Sequence, residues 1–300
     1  MAYIIENANM YKHQSIEKVS LLVDKSKILS VQPSFSKYKY MKMNANHFVM
    51  TATHVMMDLN VFEKVHHDEK EKYVIEQFLM KGCTTVLAVS TVDYNHTFND
   101  YIEKTRNFFD ETPLDYVTAV QIPFHKLTPT FIRKCKREKI PAIFVEITID
   151  HDHQIENTAW TWIKDALFPY NCPLIPVLKT TNLNEKNYIL SKWNKILKQE
   201  KVPYVDQPLM LNEPIPLDVL KKIGIYPLKG YLQTGGELSY NLYYPSKESM
   251  IQEGLKDIDE SELSLIITVH KGVVIRVENK VHYDKRQGEE LKISRPSFFY

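Results

Sequence analysis

Glycine is scarce in this chain: there are eight in 300 residues, and Gly82 is the only one before Gly224. Average usage is about 7%, and backbone that approaches a phosphate closely depends on this residue. Neither GxGxxG nor GxxxxGK(S/T) occurs, which excludes dinucleotide-fold and P-loop readings. Cysteine is sparse too. Cys83, Cys135 and Cys172 are odd in number and widely spaced, so they read as reduced thiols, not a disulfide framework or a CxxC zinc clip. No run of about 18 apolar residues offers a bilayer span. The opening residues, MAYIIENANMYKHQS, lack the zones of a signal peptide. Net charge is +1 with a pI near 7.7, which gives no electrostatic case for nucleic acid or a membrane surface as partner. The expectation is a cytoplasmic protein.

Hydrophobic residues make up 44% of the chain and charged residues 25%, enough for a sizeable core. The first segment, with YIIENANM and VSLLVDKSKILSVQP, reads as β-branched strands broken at Asp24-Lys25-Ser26, a hairpin-like turn. From about residue 48 the pattern becomes apolar strand, loop and amphipathic helix, repeated. Strands are expected at HFVMTATHVMM, Thr84–Ser90, Leu114–Ile122, Ala142–Ile149, Pro173–Thr180 and, weakly, Val202–Asp206. Helices are expected near 68–81, 97–111, 127–138, 155–167, 184–200 and 216–223. In the 155–167 helix, Ile155, Ala159, Trp162, Ile163 and Ala166 share one face, as docking on a sheet requires. After Gly224 the chain returns to turns and strands. The most acidic stretch, Glu253–Glu262, reads as a solvated loop or helix. Strand–helix alternation argues for a parallel β/α core with function at the strand C-terminal ends.

Four stretches carry a resemblance to a known family. They are IIENANM…VSLLVDKSKILSVQ (Ile4–Gln32), KGCTTVLAVST (Lys81–Thr91), KKIGIYPLKGYLQTGGELSYNLYYPS (Lys221–Ser246) and VHKGVVIRVENKVHYDKRQGEELKISRP (Val269–Pro296). Together they resemble the cyclic amidohydrolases of the dihydroorotase, dihydropyrimidinase and allantoinase kind. Ser26 stands where that family usually has glycine, and Glu237-Leu238-Ser239 replaces its acidic-Ala-Asp motif. The resemblance implies a metal-bearing β/α barrel beside a small β domain built from both chain ends. Residues 48–223 leave room for about six βα units at roughly 30 residues each, not the eight of a closed barrel. The expected fold is therefore α/β: a degenerate or truncated TIM-like barrel (48–223) with a composite β domain from 1–47 and 224–300.

The family's hydrolysis needs metal-bound water of lowered pKa, and the resemblance implies an HxH pair on the first strand, both imidazoles on one face. Three registers place that pair at Met57 and Leu59, at Asn60 and Phe62, or at His54 and Met56. None holds two histidines, and Met, Leu and Phe do not ligate a hard divalent ion. The bridging lysine's place falls on Phe144 or Val145, with Glu146 displaced beside it. Asp206, in VDQP, resembles the family's catalytic aspartate, though Gln207 follows where a histidine is usual.

The only HxH in the chain is His151 and His153, in IDHDHQ, flanked by Asp150 and Asp152. A zinc ion held there with a distant carboxylate is one reading; solvated loop charge is the other. His66-His67-Asp68 reads as a helix start, with Asp68 or a neighbour as N-cap, and His54 as a hydrogen-bonded strand residue. Cys135, in RKCKRE, reads as an inconsequential surface thiol, its activation by neighbouring cations being the alternative. The tyrosines of SYNLYY read as packing within the β domain.

Two functions follow. In the first, the chain has lost metal-dependent hydrolysis and serves as a scaffold, binding or partner protein without cofactor, as a homo-oligomer or beside an active amidohydrolase relative. In the second, His151, His153 and Glu146 hold zinc or another divalent metal, Asp206 is catalytic, and a cyclic amide or related C–N bond is hydrolysed.

Overall fold

The computed structural model describes residues 2–12, 15–92, 97–245, 263–283 and 288–298. The acidic stretch Glu253–Glu262 lies outside them. The chain opens with strands β1 (Ala2–Lys12), β2 (Ser15–Asp24), β3 (Lys27–Gln32), β4 (Met41–Asn44), β5 (Val49–Ala52) and β6 (His54–Leu59). Helices α1 (Val61–Lys64) and α2 (Lys70–Gln77) lead to β7 (Cys83–Thr91), α3 (Phe98–Phe109), β8 (Asp115–Pro123), α4 (Pro129–Arg137) and β9 (Ile143–Ile147). Then come α5 (Asp152–Asn157), α6 (Trp160–Leu167), β10 (Leu174–Leu178), α7 (Leu183–Glu200), α8 (Leu217–Ile223), β11 (Tyr240–Pro245), β12 (Leu263–His270), β13 (Val273–Val277) and β14 (Lys280–Val281).

Two sheets organise these elements. The larger is mainly antiparallel, in the order β14-β13-β12-β11-β5-β1-β2-β3, with β4 also paired to β1. Strands from both chain ends thus share it, joined where β5 lies between β1 and β11. Its core face gathers Ile5, Met10, Leu21, Val23, Met50, Leu242 and Val269. The turn between β2 and β3 falls at Lys25, in the left-handed region at φ 52°.

The second sheet is a curled parallel half-barrel of five strands in the order β10-β9-β8-β7-β6. Its strands read as near-continuous apolar runs because helices cover a parallel sheet; eight of nine residues in β7 are buried, and eight of nine in β8. Val120, Ile122, Val145 and Ile147 pack with Phe131, Ile132 and Ile163 from the helices, and with Trp160 and Trp193. By contacts the chain forms two compact units. One comprises Met1–Val55, Glu71–Thr84 and Pro227–Asp284, the other Met56–Lys70, Thr85–Tyr226 and Lys285–Tyr300. In the second, the closing residues run beside the start of β8, where Tyr116 donates its N–H to Glu289 and accepts from Leu291.

Three expectations need correction. HFVMTATHVMM is two strands in two sheets, parted at Thr53, whose N–H donates to Ser239 while that of His54 donates to Gly82. Val202–Asp206 is not a strand: Tyr204 makes an isolated parallel bridge with Leu174, and Pro203 has no N–H to extend a ladder. At the opposite edge Pro214 bridges Met56, so residues 203–214 touch both edge strands. Finally, the 155–167 helix is broken at Thr158 and Ala159, where the backbone turns extended. The break rotates the second half, so Trp160 is buried at 3% exposure while Trp162 stands 67% exposed.

Candidate functional site

Parallel β/α sheets place functional groups just past the strand C-terminal ends. Here each of the five strands contributes one polar side chain to that rim. Asn60 follows β6 in the left-handed region, at φ 51°, a conformation asparagine tolerates. Its Oδ1 accepts the Thr91 N–H at 2.7 Å, and its Nδ2 donates to Thr91 Oγ1 at 3.1 Å. Thr91 is in register with Gln121, and Glu146 lies one step further along, opposite Pro123. Directly paired residues share a face, so Thr91 and Gln121 point away from the helices that Val120 and Ile122 pack against. Gln121 Nε2 donates to Glu146 Oε1 at 2.6 Å, and Lys179, past β10, reaches the same oxygen at 3.1 Å. The Glu146 side chain is 19% exposed and that of Lys179 50%.

The four residues nominated from sequence are dispersed. No three of His151, His153, Glu146 and Asp206 stand close enough to share one ion. His151 ends a 3-10 turn at Ile149–His151 and closes a capping box, its Nδ1 accepting the Thr148 N–H at 3.1 Å. A neutral ring bound in this way carries its proton on Nε2, so neither nitrogen offers a free lone pair. Burial, then the neighbouring His125, hold the His151 pKa below its ordinary value, with Asp150 opposing. His153 lies two residues on, exposed in α5, about 200° around a helical turn. Its neighbour Asp152 is tied to Lys192 at 2.5 Å. Asp206 faces the buried Lys222 at 3.7 Å, with its side chain 56% exposed.

The divalent metal that the sequence resemblance implies does not fit these donors. An ion at Glu146 would displace or adjoin the Lys179 ammonium, and His151 has spent the lone pair it would need.

Other sequence assignments resolve simply. His54 Nε2 and the Tyr243 hydroxyl are 2.7 Å apart, as expected of a hydrogen-bonded strand histidine. Asp68 sits in a 3-10 turn, His67–Glu69, ahead of α2. Cys135 is not a surface thiol: it is fully buried, and burial pushes its pKa well above the ordinary value. Tyr240 is buried, whereas Tyr244 is 40% exposed beside Phe48. Sequence reading missed Thr91, Gln121 and Lys179 as a set, and His125, whose ring centre lies 6.4 Å from that of His151. The available signal was position, since each stands at or just beyond the end of an expected strand.

Among solved structures the fold is similar to that of dihydropyrimidinase from Brevibacillus agri, at TM-score 0.60 and 10% identity over 99% of each chain. It is also similar to D-hydantoinase from a Thermus species, at TM-score 0.62 and 10% identity over 99% of this chain and 100% of that one. L-hydantoinase from Arthrobacter aurescens aligns at TM-score 0.60 and 11% identity, covering 97% and 99%. The fold is thus similar to the folds of these dihydropyrimidinase and hydantoinase structures. No protein-family model matches the chain, and no curated protein matches it by sequence.

Proposed function

We propose that this chain is a binding protein on a cyclic amidohydrolase fold, without metal-dependent hydrolysis. It holds a small polar ligand at the parallel strand ends and works in the cytoplasm with a second copy of itself or an active relative. The observation that carries this reading is the Asn60–Thr91 and Gln121–Glu146–Lys179 pairing. Its donors and acceptors satisfy one another, where hydrolysis would need lone pairs converging on an ion. Lys179, half exposed and already aligned by Glu146, is the group a ligand carbonyl or carboxylate would engage.

Hydantoin and dihydrouracil, offered with added zinc or manganese, test the reading. The expected result is no hydrolysis above buffer, with any ureide binding weakened by Lys179→Met. Metal-dependent turnover lost on His151→Ala would overturn it and establish the alternative, a hydrolase of cyclic C–N bonds with an atypical site.

A further inference from the structure

The larger sheet carries a buried polar row on the face opposite its core. Thr51, Asn241, Thr268 and Arg276 are consecutive register partners across β5, β11, β12 and β13. Residues paired in this way share one face, with Cβ atoms roughly 5 Å apart. Asn241 and Thr268 are 0% exposed and Arg276 is 6% exposed. Asn241 Nδ2 donates to the Gly82 carbonyl at 3.0 Å, which ties the row to the chain that covers it.

Arg276 is the anomaly. Its Nη1 donates to the Leu265 carbonyl at 2.9 Å, while its Nε is buried with no partner. Among the described residues no carboxylate pairs with it. The Thr268 hydroxyl, its register partner, is likewise buried without a partner. A guanidinium removed from water without a counter-charge costs several kcal/mol, and buried charges in stable proteins are paired.

We propose that Arg276 and Thr268 form an internal site for a small monovalent anion of halide size, held by the Arg276 Nε–H and the Thr268 hydroxyl. The ion would supply the counter-charge that no carboxylate among the described residues provides. The Asn241 Oδ1, an acceptor also buried without a partner, takes no part: it repels an anion and suits a water.

Thermal unfolding at fixed pH and ionic strength, with chloride exchanged for gluconate, tests the proposal. Chloride and bromide are expected to raise Tm logarithmically once their concentration exceeds Kd, by about 2–4 °C for each kcal/mol of linked binding. Arg276→Met should abolish the response. Should that variant fail to fold, Thr268→Val provides the reading: loss of one hydrogen bond raises about tenfold the halide concentration at which Tm begins to climb. Equal Tm in all anions, as expected if only water fills the site, overturns the proposal. So does an unchanged halide response in either variant.

Discussion

Acidification should destabilise the protein through His54, the first residue of β6, whose ring is hydrogen-bonded to Tyr243 of β11. Its ring packs beside Tyr243, and burial lowers its pKa from the ordinary 6.5 to about 4. Some of its surface remains accessible, so the magnitude is an upper figure. Because the folded pKa lies below the unfolded one, the stabilising contribution is complete above pH 6.5 and is lost as pH falls through 6.5 towards 4. Each pKa unit is worth 1.36 kcal/mol, so the full loss is about 3 kcal/mol, with about 2.5 kcal/mol spent by pH 4.5. The assay is urea unfolding of wild type and His54→Gln at pH 7.5 and 4.5. Glutamine keeps a neutral hydrogen-bonding group towards Tyr243 but does not titrate. Wild type should lose about 2.5 kcal/mol more than the variant across that range. Identical pH dependence in the two proteins would refute the reasoning.

Three further outcomes follow from packing. Trp193→Ala should cost about 3–5 kcal/mol, since its ring is fully buried against Phe124 and Trp160, while Trp162→Ala should stay within about 0.5 kcal/mol; comparable losses in chemical denaturation would contradict the helix break. Gly288→Ala should destabilise by more than about 2 kcal/mol, because its Cβ would collide with the Leu114 and Thr112 carbonyl oxygens; an unchanged midpoint would refute that approach. Cys83, Cys135 and Cys172 are all buried, with the Cys172 pKa pushed up to about 12 by burial, so a thiol reagent at pH 8 should titrate them only after denaturation.

Periodic elements were the legible part of the fold. The apolar run around Thr84–Ser90 became β7, and the amphipathic stretch at 184–200 became α7 with few changes at its ends. What escaped depended on partners distant in sequence. Nothing in HFVMTATHVMM marks Thr53 as the residue where the chain leaves one sheet for another, because the exchange rests on carbonyls of Gly82 and Ser239. The helix at 155–167 keeps an amphipathic period across Thr158-Ala159, so Trp162 looked inward when Trp160 is the core residue. At the rim, histidine and aspartate drew notice by type, whereas Gln121 and Lys179 gain meaning only beside Glu146. The IDHDHQ motif looked like a ligand pair because a strand aligns alternate residues. It lies instead in a 3-10 turn and a helix start, where they diverge.

Metal content is the most direct measurement of whether the strand rim has given up hydrolytic chemistry. The protein would be expressed in medium supplemented with zinc and manganese, dialysed, and analysed by inductively coupled plasma mass spectrometry beside His151→Ala and Glu146→Gln. The prediction is no stoichiometric metal bound through these residues, and identical content in all three proteins. One equivalent per chain in wild type, lost in either variant, would contradict it.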